Sequence, residues 1–291
     1  MQTIGTARLW AIGELKKAGI QSPAISADLL LGLVLGFDRI GILSHPEHQV
    51  QEELWGRFKA LVSRHTKGEP LHYLTGEREF YGLAFRVTPA VLIPRPETEV
   101  LVEKAIEIMK SLALPRTLFV DVGTGSGCIA VSIASQIPSS MGWATDISAA
   151  ALNIARENAV RHRVADRIQF IRTDLLDCFT PVPHFDFILS NPPYVPLEEC
   201  DNLPSGVKDY EPHTALFGGQ SGMEFYQRLV PEASSRLKPG GYLLIESGVG
   251  QAMEIGKLIK QKGLSLRMTL KDLQGIPRCL IGEKPLRRND G

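Results

Sequence analysis

Leu118-Phe119-Val120-Asp121-Val122-Gly123-Thr124-Gly125-Ser126-Gly127-Cys128-Ile129-Ala130 is the stretch whose reading decides the fold. A short apolar run ends in an acid, three glycines alternate with other residues, and an apolar segment follows. That order predicts a buried strand, a tight turn and a helix running from Cys128 to Gln136. Glycines in such a turn bend the backbone sharply and let a ligand approach the helix N-terminus. Outward from this point the chain alternates. Strands are predicted at Gly142 to Thr145, Ile168 to Arg172, Phe185 to Ser190 and Gly241 to Ser247. Helices are predicted at Ser148 to Arg161, capped by Ser148, at Glu224 to Leu237 and at Val249 to Lys262. Such alternation predicts an α/β fold, a mainly parallel sheet covered on both faces. Ser265 to Leu270 and Arg278 to Gly282, with no helix between them, predict an antiparallel hairpin at one edge.

Spacing separates the ligand classes. A dinucleotide fingerprint would place glycine or alanine where Cys128 stands, and a phosphate loop would carry lysine after the last glycine. An acid followed by glycines at Gly123, Gly125 and Gly127 instead resembles the first motif of S-adenosylmethionine-dependent methyltransferases. That ligand has no phosphate, and its ammonium favours an acid such as Asp121. Asp146 ends the second strand, where a carboxylate can accept from both ribose hydroxyls; a loop or helix-cap role is the alternative. Asp174 ends the third strand, where an acid meets the adenine amino group, with Leu175 packing on the ring; Asp174 could equally cap a helix.

The strand ending at Ser190 runs into Asn191-Pro192-Pro193-Tyr194. Two prolines stop a strand and stiffen its exit. An amide or exocyclic amine nitrogen is a poor nucleophile because its lone pair is delocalised. The Asn191 side-chain oxygen and the Pro192 carbonyl could each accept one N–H of an –NH2 group. Those bonds would hold the nitrogen near a methyl donor and favour its tetrahedral form. The Tyr194 ring could lie against the flat amide or base. No side-chain base is required, since the nitrogen becomes acidic once it carries positive charge.

Residues 1–75 read as a helical module. Ala7, Leu9, Ile12 and Leu15 mark one face, Ile25, Leu29, Leu30, Leu33 and Val34 a second, and Val50, Leu54, Phe58, Leu61 and Val62 a third. Phe80-Tyr81-Gly82-Leu83-Ala84-Phe85 predicts a hairpin, and 76–95 is expected to join the module to a second domain over 96–291, whose first helix starts near Glu97.

Together these motifs resemble the HemK/PrmC family of N5-glutamine methyltransferases over nearly the whole chain. The residues that carry the likeness are Leu92-Ile93-Pro94-Arg95-Pro96-Glu97-Thr98-Glu99, the glycine turn through Ala130, and Ser190-Asn191-Pro192-Pro193-Tyr194. Tyr210-Glu211-Pro212, Ala215-Leu216 and Gly218-Gly219 add to it. The resemblance implies a Rossmann-like S-adenosylmethionine-dependent methyltransferase sheet with a small N-terminal helical domain. It implies transfer of a methyl group to the side-chain amide of the glutamine in the Gly-Gly-Gln motif of class I peptide chain release factors, with S-adenosylhomocysteine as product. Asp121, Gly123, Thr124, Gly125, Ser126, Gly127, Asp146, Asp174, Leu175 and Asn191 are then cofactor contacts, and Asn191 to Tyr194 grip the glutamine. Arg95 and Glu97 either wall the pocket or pack between domains, and the helical module docks the release factor. Two other activities use related chemistry: methylation of a glutamine in a large-subunit ribosomal protein, and adenine N6-methylation of nucleic acid.

The chain has its own Gly218-Gly219-Gln220, read here as a loop turn rather than a substrate motif. Among its 291 residues, 32 basic and 32 acidic side chains balance, which disfavours a protein held to nucleic acid by phosphate neutralisation. The charge is locally uneven. Glu198, Glu199, Asp201, Asp209 and Glu211 lie beyond the amide motif and could face a basic partner. Five arginines gather from Arg156 to Arg172. Four scattered cysteines suggest neither zinc nor disulfides, so no metal is expected. The N-terminal segment lacks a signal-peptide core, and Leu29 to Phe37 is too short to cross a bilayer. A cytoplasmic monomer with no membrane partner is the expectation.

Overall fold

The computed structural model describes residues 2–286. Its contacts form two compact units. One runs to Glu77 and includes Pro204–Tyr210; the other comprises Arg78–Leu203 and the chain from Glu211 onward.

The first unit is helical: α1 Ile4–Lys17, α2 Pro23–Leu35, α3 Arg39–Ser44, α4 Glu52–Thr66 and α5 Leu71–Thr75. A two-residue strand pair, β1 Gln2–Thr3 with β2 Gln49–Val50, ties the start of α1 to the segment before α4, so Val50 sits in a strand and not on the α4 face as expected. Thr3 caps α1 through a bond from the Thr6 amide. The buried stripe of α1 is Ile4, Ala7, Ala11 and Leu15, while Leu9 is 68% exposed. On α2 the stripe is Ala27, Leu30, Leu31 and Val34, and Ile25, Leu29 and Leu33 face outward. Ala7, Leu15, Leu30 and Val34 were expected there; Leu9, Ile25, Leu29 and Leu33 were not borne out, because Ala11 and Ala27, whose small side chains let helices pack closely, complete the stripes instead. Asp28 is fully buried and held by Arg8 Nε at 2.5 Å and Arg39 Nε at 3.1 Å. The two guanidinium groups offset the cost of taking that side chain out of water.

The second unit opens within a hairpin, β3 Glu77–Phe80 and β4 Leu83–Arg86, all of which but Glu77 it contains. Its turn residues Tyr81 and Gly82 both have positive φ, 51° and 72°, as a two-residue turn between twisted strands requires. Phe80 and Phe85 are buried in the main core, so the hairpin belongs to this unit. A single 3₁₀ turn, Pro96–Thr98, leads into α6 Glu99–Leu112. Then follow β5 Thr117–Val122, α7 Cys128–Gln136, β6 Ser140–Asp146, α8 Ala149–Arg161, β7 Ile168–Arg172 and β8 Phe185–Ser190. The chain closes with α9 Glu224–Arg236, β9 Leu237–Glu246, α10 Ala252–Gln261, β10 Ser265–Lys271 and β11 Pro277–Glu283.

The seven strands lie in the order β10-β11-β9-β8-β5-β6-β7. β5 to β9 are mutually parallel, and β11 and β10 are antiparallel at the edge. The predicted edge hairpin is therefore present. Alternation decides the two faces. Phe119, Phe187, Leu189 and Leu244 pack with α6 and α7; Val120, Ile188, Leu243 and Ile245 pack with α9 and α10. Sheets buried on both sides read as continuous apolar runs, which is what these strands show. The strand order reverses at β5, and in such sheets ligands bind beyond the carboxyl ends at the reversal. Register keeps those ends level: Val122 pairs with Thr145 and Ser190, and Ser190 with Ile245. No helix among the described residues is long and apolar enough to cross a membrane.

Candidate active site

A cleft opens beyond the carboxyl ends of β5, β6 and β8. Gly123, Thr124, Gly125 and Ser126 form one wall, Asp146, Asp174 and Leu175 a second, and Asn191, Pro193, Arg95 and Thr98 a third. Four of the sequence-predicted residues do not line it: Asp121, Gly127, Pro192 and Tyr194. Each has an evident place next to the wall.

Asp121 is fully buried beneath the glycine turn. Its Oδ2 accepts from Thr124 Oγ1 at 2.6 Å and from the Ala130 amide at 3.2 Å. One carboxylate thus clamps both ends of the turn. Its Oδ1 has no hydrogen-bond partner among the described residues. Burial pushes the carboxyl up to about 7, and the two bonds to Oδ2 only partly offset this. Asp121 therefore shapes the turn from behind instead of facing the cleft. Gly123, Gly125 and Gly127 all have positive φ. A Cβ at Gly123 or Gly125 would meet nothing within 4 Å, whereas at Gly127 it would lie 3.1 Å from Ala155. The first two glycines leave their faces bare toward the cleft; the third serves the contact of α7 with α8.

Asp146 accepts through Oδ2 from the Gly125 amide and through Oδ1 from the Ser148 amide, each at 2.9 Å. Burial still raises its pKa. Each carboxylate oxygen has a second lone pair, so two further donors can be taken without breaking these bonds. The expected Ser148 cap of α8 is formed through the Ala151 amide. Asp174 pairs with Arg228 at 2.6 Å on an exposed surface. Leu175 has φ of 44°, a strained value for a branched side chain, and is buried against the cleft wall. Thr145 Oγ1 donates to its carbonyl and Glu232 accepts from the next amide, which hold the segment in place.

On the third wall Asn191 Nδ2 donates to Thr98 Oγ1 at 3.0 Å, and Thr98 Oγ1 donates to Glu246 Oε2 at 2.6 Å. The acceptor end of the Asn191 amide is not used in that bond. Pro192 is buried, and its carbonyl belongs to the peptide that joins it to Pro193 on the cleft wall. The Tyr194 carbonyl accepts from Gln251 Nε2 at 2.9 Å, and burial pushes the Tyr194 phenol up to about 12, so it stays neutral. Gly218 passes so close behind this segment that a Cβ would lie 2.5 Å from the Pro193 carbonyl. Gly218 thus packs against the amide motif and Gly219, with positive φ, against Glu224, and neither lines the cleft.

Arg95 lines the cleft and donates to Glu211 at 2.6 Å; the Ile93 amide also donates to Glu211. Glu211 is buried, so it drops out of the exposed acidic group, while Glu198, Glu199, Asp201 and Asp209 remain exposed. Glu97 does not line the cleft. Sequence reading missed Thr98 and Glu246. Thr98 lay within a quoted motif, but Glu246 joins Asn191 only because β8 and β9 are paired in register.

The residues present fit S-adenosylmethionine. The glycine wall is bare, acids stand at the ends of adjacent strands, and among the described residues no lysine lines the cleft to take a phosphate. Among the described residues no cluster of histidine, cysteine and acids could hold a metal, and the four cysteines are unpaired.

Comparison with known proteins agrees with this geometry. The family described as PrmC N-terminal domain matches residues 6–76, and the methyltransferase small domain matches residues 98–202. A release factor glutamine methyltransferase of Koribacter versatilis is 42% identical over 94% of this chain and 96% of its own. One of Bradyrhizobium diazoefficiens is 39% identical over 97% and 95%. Among solved structures, a methyltransferase from Pyrococcus furiosus superposes with TM-score 0.52 at 19% identity, over 71% of this chain and 91% of that one. The hMettl16 catalytic domain in complex with MAT2A 3'UTR hairpin 6 gives 0.55 at 18% identity, over 79% and 83%. At these identities the solved structures establish the fold alone, a methyltransferase sheet of the Rossmann-like kind. The near full-length sequence identity goes further: this chain is an enzyme that belongs to the release factor glutamine methyltransferase family.

Proposed function

We propose that the protein methylates the side-chain amide nitrogen of the glutamine in the Gly-Gly-Gln motif of class I peptide chain release factors, with S-adenosylmethionine as donor. The observation that carries this reading is the continuity of the bare glycine wall with Asn191, so that a methyl donor and an –NH2 acceptor can share one cleft. The donor supplies an electrophilic methyl on a sulfonium when bound. Gly123, Thr124, Gly125 and Ser126 would hold its methionine portion, Asp146 its ribose hydroxyls, and Asp174 with Leu175 its adenine.

Asn191 Oδ1 and the Pro192 carbonyl would each accept one N–H of the target amide. Two fixed acceptors remove rotational freedom from the nitrogen and favour its tetrahedral form over the planar one. The departing proton needs no strong base, because a methylated amide nitrogen bearing positive charge loses it readily to water. Arg95, held by Glu211, would close the cleft wall on the acceptor side. The helical unit of residues 1–75 would engage the release factor, and Glu198, Glu199 and Asp201 would meet a basic surface on it. A cytoplasmic location follows from a substrate that acts in translation.

Labelled S-adenosylmethionine incubated with purified release factor, ribosomes and DNA in parallel tests the reading. Label is expected on the release factor alone and is lost when its motif glutamine is replaced by alanine. Label confined to a ribosomal protein or to DNA would reject this substrate.

A further inference from the structure

Asn191 presents an ambiguity common to every side-chain amide: its oxygen and nitrogen ends are nearly the same size, and only hydrogen bonding decides which faces a ligand. An –NH2 group needs the oxygen. The nitrogen end would set two donors against each other. The proposed acceptor role of Asn191 therefore depends on whatever fixes its flip.

We infer that Thr98 and Glu246 are positioning residues, a two-step relay that holds the Asn191 amide with its nitrogen turned away and its oxygen free for the substrate. The chain of bonds runs one way. Asn191 Nδ2 donates to Thr98 Oγ1 at 3.0 Å, and Thr98 Oγ1 donates its only hydrogen to Glu246 Oε2 at 2.6 Å. An ionised carboxylate can only accept, so it compels the hydroxyl to donate toward it. The hydroxyl is left with lone pairs on the other side, and these accept from Asn191 Nδ2. Thr98 and Glu246 are 2% and 1% exposed, so water does not compete for these bonds. Glu246 is itself fixed: its backbone carbonyl accepts from Tyr226 Oη at 3.0 Å, and Ser190 pairs with Ile245 in the sheet, so residues 191 and 246 follow side by side.

The relay carries a pH dependence. Burial pushes the Glu246 carboxyl up to about 7. The charges that act on it are Arg278 on β11, with Arg95 and Glu97 before α6. Tyr194, Tyr226, Cys128 and Cys279 also face it, and burial raises all four, so they stay neutral near pH 7. Once protonated, Glu246 can donate to Thr98. The hydroxyl is then free to donate to Asn191 Oδ1, and the amide turns its nitrogen to the cleft. Catalysis is lost as pH falls through about 7, with cofactor binding untouched by this step. The inference rests on the proposed amide chemistry but not on which macromolecule carries the –NH2 group.

The test compares Thr98→Val, Thr98→Ser and Glu246→Gln with the wild type, on whichever substrate the wild type labels. Thr98→Val, isosteric but without the hydroxyl, is expected to lower kcat by about tenfold or more with KM and cofactor affinity within about twofold. Thr98→Ser restores kcat, which separates the hydroxyl from mere packing. Glu246→Gln lowers kcat above pH 7 and abolishes the acid limb of its profile. Asp121 titrates in the same range, so the change between variant and wild type carries this arm. Full kcat in Thr98→Val, equal losses in the valine and serine variants, or an unchanged acid limb in Glu246→Gln overturns the relay. A wild type that labels DNA or ribosomes and not release factor overturns the substrate assignment instead.

Discussion

The two sides of the cleft are built on opposite plans. On the glycine side, backbone amides hold the acids, Asp121 through Ala130 and Asp146 through Gly125 and Ser148, and the one side-chain bond, from Thr124 to Asp121, spans only three positions. On the amide side, side chains hold side chains, through Asn191, Thr98 and Glu246, and through Arg95 and Glu211. Backbone-held groups follow the chain trace and tolerate changes elsewhere. Side-chain pairs come from segments far apart in sequence, so each depends on the sheet and loops being assembled. The first plan suits a ligand gripped the same way in every turnover. The second suits a nitrogen that must be aimed.

The largest expected effect breaks the amide side. Asn191→Ala removes the acceptor, and kcat should fall about a thousandfold while cofactor affinity stays within about threefold, read by turnover and calorimetry. Undiminished methylation would sink the mechanism. Next comes Arg95→Ala, which strands the buried Glu211. Unfolding in denaturant should register a loss of about 3 kcal/mol, since the buried carboxylate keeps only the Ile93 amide and no opposite charge. On the glycine side, Asp146→Ala should weaken cofactor binding about a hundredfold, the scale of two charge-assisted bonds, and leave KM for the release factor unchanged. A change in the reverse pattern would erase the distinction between the two sides.

The smallest effect concerns Asp121. Its folded-state pKa, about 7, lies above the ordinary carboxylate value, so the folded protein holds that proton more tightly than the unfolded chain. Its stabilising contribution is complete at acid pH, below the unfolded value, and is lost as pH rises through about 7. Asp121→Asn should therefore melt with a smaller drop between about pH 5 and about pH 8 than the wild type, by a few degrees. Equal drops would show that the carboxyl is not strained by burial.

The comparison also explains what could be read in advance. The glycine turn, Asp146 and the strand-to-proline transition at Asn191 are local signals, because strand, turn and helix propensities act over a few residues. Helices α7 and α8, capped by Ser148, and strands β7 and β8 followed from them. The helical unit was less legible. Its helices were plain and Ala7 was on the expected face, but the buried stripes also run through Ala11 and Ala27, where side-chain size pointed to Leu9 and Leu29. Glu211 looked like part of an acidic surface; only the loop that brings it to Arg95 shows it buried.

The sequence alone determined the α/β order, the glycine turn and the residue types that amide chemistry needs, since each strand, helix and motif is written in a short run of consecutive positions. Tertiary structure alone decided that Asp121 lies behind the turn, that Gly127 packs against α8, and that Thr98 and Glu246 hold Asn191. Those facts depend on pairing between segments up to 148 positions apart, and register across a sheet is set by the whole core, not by any local stretch.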